Sequence, residues 1–348
     1  MRRMIPLLTL CLMLILSGCS VSLPFNKVVF TTGFEKDEVF RIEESTCSLT
    51  EIMVYLVGTQ GGYEQTFGKD IWKADTDSGT VEERLKESVL AKIAQIKVMN
   101  LLAQENGITL DENEEQLVEA AAGEYFDQLT DADIAAMNGV TQEDLEGIIR
   151  EQCIADKLYD YIIRDINPEI SDDEARTITV EQILIKTYSL DGEGNRVPFS
   201  ESEKDAAYRR CREVFKSLLN GTSFEELMAQ YNEADEGTIS FGKGEKDSAF
   251  ETAAFNLGTE ETSEIIETED GYAILKCIST FNREETEANK VKIVAQRKRE
   301  VFGAQYDAFV ATLTKQLNQK LWDSVELVDD ENVTTTGFME VYEKYFHS

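Results

Sequence analysis

Apolar residues recur along this chain in two periods, and the switch between them divides it. Leu85, Val89, Ile93, Ile96 and the pair Leu101-Leu102 recur three to five residues apart, the spacing that gathers side chains on one face of a helix. Gly107 follows as a C-terminal cap. A second helix is expected from about 111 to 129. A third, from about 142 to 165, carries Leu145, Ile148, Ile149, Ile154, Leu158, Tyr161 and Ile162. Short β-like runs at Val28, Val29, Phe30 and at Val39, Phe40, Ile42 precede them, and 48 to 166 reads as helical throughout. Pro168 marks a boundary. From Thr177 the period becomes two: Ile178, Val180, Gln182 and Leu184 alternate with Thr179, Glu181, Ile183 and Ile185, a strand with one mostly apolar and one mixed face.

A polar loop containing Asp191, Gly192, Gly194 and Pro198 comes next. The pattern then predicts a helix from about 200 to 219, a shorter one from 223 to 231, a strand around 238 to 242 and a short helix from 248 to 257. A hairpin of 263 to 268 with 271 to 279 turns at Asp270-Gly271. The order β-α-α-β-α-β-β describes a compact domain of an α+β protein. Beyond it, 284 to 321 reads as one long polar helix with Leu313 and Leu317 on its apolar side. Val325 to Val328 reads as a last strand, and 329 to 348 as an acidic, flexible tail. Hydroxyl residues three positions ahead of a carboxylate mark helix starts: Ser48 with Glu51, Thr80 with Glu83, Thr141 with Asp144, Ser171 with Glu174, Ser223 with Glu226 and Ser248 with Glu251.

Charge narrows the functional classes. The 348 residues hold 34 Lys+Arg against 67 Asp+Glu, a net charge of −33, and such an acidic field disfavours nucleic acid as a partner. The single histidine, His347, lies one residue from the end, which excludes histidine-based triads and multi-histidine zinc sites within the fold. The acidic runs at 111 to 115 and 329 to 331 read as solvated. Asp111 and Asp191 each open a run without the sixth-position glycine of a calcium loop. No metal site is expected.

At the N-terminus, Arg2 and Arg3 precede an apolar run from Ile5 to Leu16 and then Ser17-Gly18-Cys19. Residues 1 to 18 read as a secretory signal, too short for a comfortable bilayer span. Small residues before a cysteine resemble the bacterial lipobox, which implies lipidation of Cys19 and a membrane tether. The alternative is an ordinary membrane anchor with an incidental cysteine. Cys47, Cys153, Cys211 and Cys277 are widely spaced, without a C-x-x-C. Cys211 and Cys277 fit small core positions, and the compartment permits a disulfide that sequence alone does not assign.

Several ordered motifs in the middle segment resemble the parvulin (rotamase) domain. They are Gln182-Ile183-Leu184-Ile185, Ser223-Phe224-Glu225-Glu226-Leu227, Phe241-Gly242-Lys243-Gly244, Ala249 through Leu257, and Thr268-Glu269-Asp270-Gly271-Tyr272-Ala273-Ile274. The whole layout resembles the extracytoplasmic foldases of the PrsA/SurA type. That resemblance implies a signal at 1–18, a lipid-anchored segment at 19–47, a helical lobe at 48–169, an inserted parvulin-like domain at 170–282, a helix and strand completing the lobe at 283–328, and the tail at 329–348.

Parvulins isomerise X-Pro bonds. The barrier, about 18–20 kcal/mol, comes from lost amide resonance, so a pocket that favours the twisted amide suffices and no cofactor is implied. In the family the proline ring sits on a Phe, a Met and a Leu above two histidines. Phe250 matches the phenylalanine, Ile239 the leucine, and Lys246 stands at the methionine position. Thr268 matches a hydroxyl residue before the last turn. Gln182 and Ala273 replace the two histidines, and the position after the second helix falls at Ala234 or Asp235. Three functions follow: a proline isomerase with weak or lost turnover, a non-catalytic holdase for unfolded or nascent secreted polypeptides, or a surface solute-binding lipoprotein. The resemblance favours a foldase-family protein tethered outside the bacterial cell membrane. The oligomeric state is not legible.

Overall fold

The computed structural model describes residues 33–76, 79–192 and 194–347. The signal segment, Cys19 and the Val28 to Phe30 run lie outside the described residues. The described residues form two compact units, one of residues 33–165 with 300–347 and one of residues 166–299.

The first unit is built on helices. Strands β1 (Glu38–Ile42) and β2 (Ser45–Ser48) lead into α1 (Leu49–Phe67). A 3-10 turn and a two-residue hairpin, β3 (Asp75–Thr76) with β4 (Gly79–Thr80), precede α2 (Val81–Glu105). Then come α3 (Glu112–Gln128), α4 (Asp131–Ala136) and α5 (Gln142–Ile163). The expected α2 stripe is buried at Leu85, Val89, Ile93, Ile96 and Leu102. Gly107, at φ +67°, ends that helix: its N–H reaches Gln104 O at 3.1 Å and Ile108 N reaches Ala103 O at 2.9 Å, the paired bonds of a Schellman cap.

The second unit opens with α6 (Asp172–Ala175) and β5 (Thr177–Lys186), then the hairpin β6 (Tyr188–Leu190) with β7 (Arg196–Pro198). Next are α7 (Glu201–Leu219), α8 (Phe224–Tyr231), β8 (Thr238–Gly242), α9 (Ser248–Asn256), β9 (Ile266–Glu267) and β10 (Gly271–Ser279). An antiparallel sheet of order β8-β5-β10-β9 has an apolar cluster on each face. Ile183, Ile185 and Ile274 pack with α7 and α8, while Val180, Leu184 and Leu275 pack with α9. Successive strand residues point to opposite faces, so the alternation in β5 builds both clusters. The protein is α+β, as the pattern predicts.

Several expectations are corrected. The stretch from 48 to 166 is interrupted by the β3-β4 hairpin. The long helix is α10 (Arg283–Val310) and stops eleven residues early. Leu317 lies instead on β11 (Lys315–Leu317), which pairs with β1 through Phe40 and Leu317, followed by α11 (Gln319–Trp322). Residues 325 to 328 form no strand; Val325 is buried in the core instead. The tail folds too: α12 (Met339–Phe346) buries Val341 and Tyr342, because aromatic residues on one face outweigh the acidic composition.

The helix caps follow the carboxylate pattern with one displacement. Thr80/Glu83 and Thr141/Asp144 form complete boxes. Ser48, Ser171 and Ser223 accept from the N–H three residues on, but the Glu51 carboxylate turns to Lys97 at 2.9 Å. At α9 the cap is Asp247 rather than Ser248, with its side chain accepting from Ala249 and Phe250. The run at 111 to 115 contains a complete Asp111/Glu114 box, and Thr130/Asp133 is another. Cys47, Cys153, Cys211 and Cys277 are buried free thiols.

Candidate functional site

The α9 face of the sheet gathers most of the expected site positions. Antiparallel pairing places Leu275 opposite Gln182 and Ala273 opposite Leu184, so Gln182 and Ala273 are diagonal neighbours on one face. Asp247 Oδ1 accepts from Phe250 N at 3.0 Å, fixing Phe250 in the first turn of α9 above that face. Phe250 is 6% exposed and Ala273 fully buried. β8 adds Phe241, whose ring centroid lies 5.6 Å from that of Phe250 and 5.8 Å from that of Phe255. Ile239, opposite Val180, packs against the same cluster half-buried.

Gln182 is held away from any partnership with Ala273. Its Nε2 donates to Glu236 O at 2.9 Å and its backbone N to Gly237 O at 2.8 Å. β8 pairs with β5 only as far as Glu181; beyond it the loop 232–237 takes over the ladder. Asn232 Oδ1 accepts from Leu184 N at 2.9 Å, Glu233 N donates to Leu184 O at 2.9 Å, and Glu233 Oε2 accepts from Lys186 N at 2.7 Å. This loop also separates the two candidate positions after α8. Ala234 packs on the apolar cluster, whereas Asp235 is exposed with its carboxylate 3.9 Å from Lys186 Nζ.

Thr268 and Lys246 do not join the apolar floor. Thr268 closes the β9-β10 turn: its hydroxyl donates to Gly271 O at 2.9 Å and accepts from Gly271 N at 3.2 Å. Gly271 is required there, since φ is +143° and a Cβ would lie 2.1 Å from Ile185 O. Lys246 is exposed in the turn before α9. Phe241, Phe255, Ile266 and Arg176 complete the surroundings without having been singled out; the Arg176 guanidinium lies 4.9 Å from the Phe255 ring centroid. Phe241 and Phe255 stand inside the quoted motifs, but Arg176 has no local signal. An open cavity of about 510 Å³ lies on the opposite face, between Phe215, Leu218, Phe224 and Lys276. There Lys276 pairs with Glu225 at 2.8 Å and Glu260 at 3.3 Å.

The floor beneath Phe250 is thus apolar, with one amide at its margin. His347 belongs to the other unit, where Nδ1 lies 3.0 Å from Glu343 Oε2. Among the described residues, no group of three metal-ligating side chains forms and no helix is long and apolar enough to cross a membrane.

A four-stranded antiparallel sheet flanked by α7 and α8 on one side and α9 on the other, with this motif order, defines a parvulin-type rotamase domain. Residues 183–279 match the family described as rotamase, PPIC-type PPIASE domain, and this part of the chain belongs to that family. Over a longer stretch the chain is 26% identical across 228 residues to the foldase protein PrsA of Halalkalibacterium halodurans, covering 63% of this chain and 65% of that relative. It is 22% identical across 317 residues to the foldase protein PrsA of Clostridium perfringens, covering 84% and 88%. The match to the first spans slightly less than two thirds of its length. Among solved structures, the peptidylprolyl isomerase (PrsA) from Bacillus cereus aligns at 21% identity over 77% of this chain and 97% of that one, with a TM-score of 0.38.

Proposed function

We propose that this protein is an extracytoplasmic foldase that binds unfolded or nascent secreted polypeptides, with proline-isomerase turnover weak or lost. The observation carrying this reading is the face beneath Phe250: a parvulin-type domain whose two floor positions are Gln182, hydrogen-bonded to Glu236 O, and buried Ala273. Similarity to PrsA foldases supports the client class. In this reading Phe250 and Ile239 receive an apolar ring, Lys246 stays at the solvent rim and Thr268 holds the turn. Burial of apolar area stabilises a bound ring without lowering the rotational barrier. The domain division is 170–282 for the parvulin-like part and 48–169 with 283–328 for the helical lobe. Cys19 carries the lipid after removal of residues 1–18, tethering the chain to the outer face of the cell membrane.

A protease-free isomerisation assay on a Pro-containing peptide, run beside aggregation suppression of an unfolded protein, tests the reading. Suppression with little turnover is expected. Turnover equal to that of a parvulin bearing both histidines would overturn the catalytic half, and absence of any binding to unfolded protein the other.

A further inference from the structure

The residues after Val325 cross α1 and are held there largely through their main chain, with Tyr125 Oη also 2.8 Å from Thr335 Oγ1 and Val328 and Val333 packed on the core. Gln60, itself buried, brackets the backbone of one residue: its Nε2 donates to Val328 O at 2.7 Å and its Oε1 accepts from Val328 N at 3.0 Å. Asp133, 1% exposed, accepts from Thr334 N at 2.7 Å and Thr335 N at 3.0 Å. α1 is notched where the strap passes: a Cβ on Gly58 would lie 2.6 Å from Gly337 Cα, and one on Gly61 would lie 2.1 Å from Thr335 O. Beside the strap an open cavity of about 380 Å³ remains between Thr334 to Gly337 and Glu124, Tyr125 and Gln128 of α3. The strap is then clamped by α12, through Tyr342 Oη to Asp156 Oδ2 at 2.6 Å and Lys344 Nζ to Glu124 Oε2 at 2.7 Å.

Contacts aimed at N–H and C=O groups are available to any extended chain, since every residue but proline offers both. The notches at Gly58 and Gly61 let a main chain lie close against α1, at Gly337 and at Thr335–Thr336. We propose that this channel across α1 is a binding site for extended polypeptide segments, held in the resting protein by its own residues 328–337. The inference rests on the client-binding reading above and places one client site within the helical unit. A tethered strap acts at an effective concentration of order mM, so a client gains access when the strap opens, and α12 sets how often it does.

The test uses the full chain and a fluorescent synthetic peptide of residues 328–346. Tyr342→Ala with Lys344→Ala weakens the clamp without altering Gln60, Asp133 or the notches at Gly58 and Gly61. The peptide is expected to bind this variant at least tenfold more tightly than the parent, and adding Asp133→Ala is expected to remove the gain. No binding to a variant that keeps the parent's circular dichroism would overturn the proposal. Hydrogen exchange on the unmodified protein serves if the variant fails to fold. The amides of Val328, Thr334 and Thr335 should exchange at least a hundredfold faster than those inside α5, and exchange only on global unfolding would overturn it. Reduced, carboxymethylated α-lactalbumin separates the two readings. Should it bind parent and variant alike while the peptide binds neither, the channel fails and client binding stands. Should the peptide bind and the unfolded protein not, the channel stands and client binding fails.

Discussion

Gln182 and Ala273 lie diagonally across the β5-β10 pair on the face covered by Phe250, and the side chain of Gln182 is already bonded to Glu236 O. The two side chains are therefore independent of each other. One donates to a loop carbonyl; the other is a methyl group filling the core.

That independence predicts how histidine restoration behaves. Gln182→His alone should leave turnover near the parent level, because Ala273 offers no partner. Ala273→His must enter a fully buried site and should cost about 1–3 kcal/mol through overpacking. Urea unfolding and the protease-free assay read both effects, and full activity from Gln182→His alone would sink this account of the floor.

Phe250 should matter to stability as well as to binding. Its ring is buried between Phe241 and the sheet, so Phe250→Ala should cost about 3–5 kcal/mol. Unfolding of the parvulin-like unit should move to lower urea, while helix in the other unit, followed by circular dichroism, persists. A loss below 1 kcal/mol would show that the ring contributes little to this core.

In the helical unit, Lys97 Nζ sits 2.9 Å from Glu51 and 2.7 Å from Glu151, with its side chain 5% exposed. Burial disfavours the ammonium, but the two carboxylates outweigh it and hold the Lys97 pKa above its usual value. Lys97→Ala leaves Glu51 buried without its cation and should cost about 3–5 kcal/mol. Lys97→Met with Glu51→Leu should cost clearly less than Lys97→Ala, as measured by denaturant midpoint.

Buried thiols set an alkaline limit. Burial raises the Cys211 pKa to about 12 and the Cys153 pKa to about 11, whereas an unfolded thiol titrates near 8.5. A raised folded pKa gives a contribution fully present below the unfolded value and lost as pH rises towards the folded one. Stability should therefore decline from about pH 9 to pH 11, and replacing both cysteines by alanine should flatten that decline once the constant packing loss is subtracted. At pH 8 the native thiols should react with a disulfide reagent far more slowly than in urea.

Much of the site was legible because it is written locally. The period-two run of β5, the Asp270-Gly271 turn and the short helix bearing Phe250 each occupy fewer than a dozen residues, and their spacing fixes which residues share a face. Arg176 was not legible: it reaches Phe255 from a position 79 residues away. Nor was the cap of α9, where Asp247 and Ser248 are both able to accept and only the backbone path chooses between them.

The sequence by itself determined the two periods, the helix starts, the histidine-free middle domain and its α+β class, since each depends on neighbours within a turn or a pleat. Tertiary structure decided what distant partners decide. Three residues at Lys315–Leu317 become a strand because β1 offers Phe40 and Ile42 as an edge. An acidic tail becomes a strap and a helix because Gln60, Asp133 and the notches at Gly58 and Gly61 accept its backbone. Backbone groups carry no sequence signature, so a site that reads them becomes visible only when the chain is folded around it.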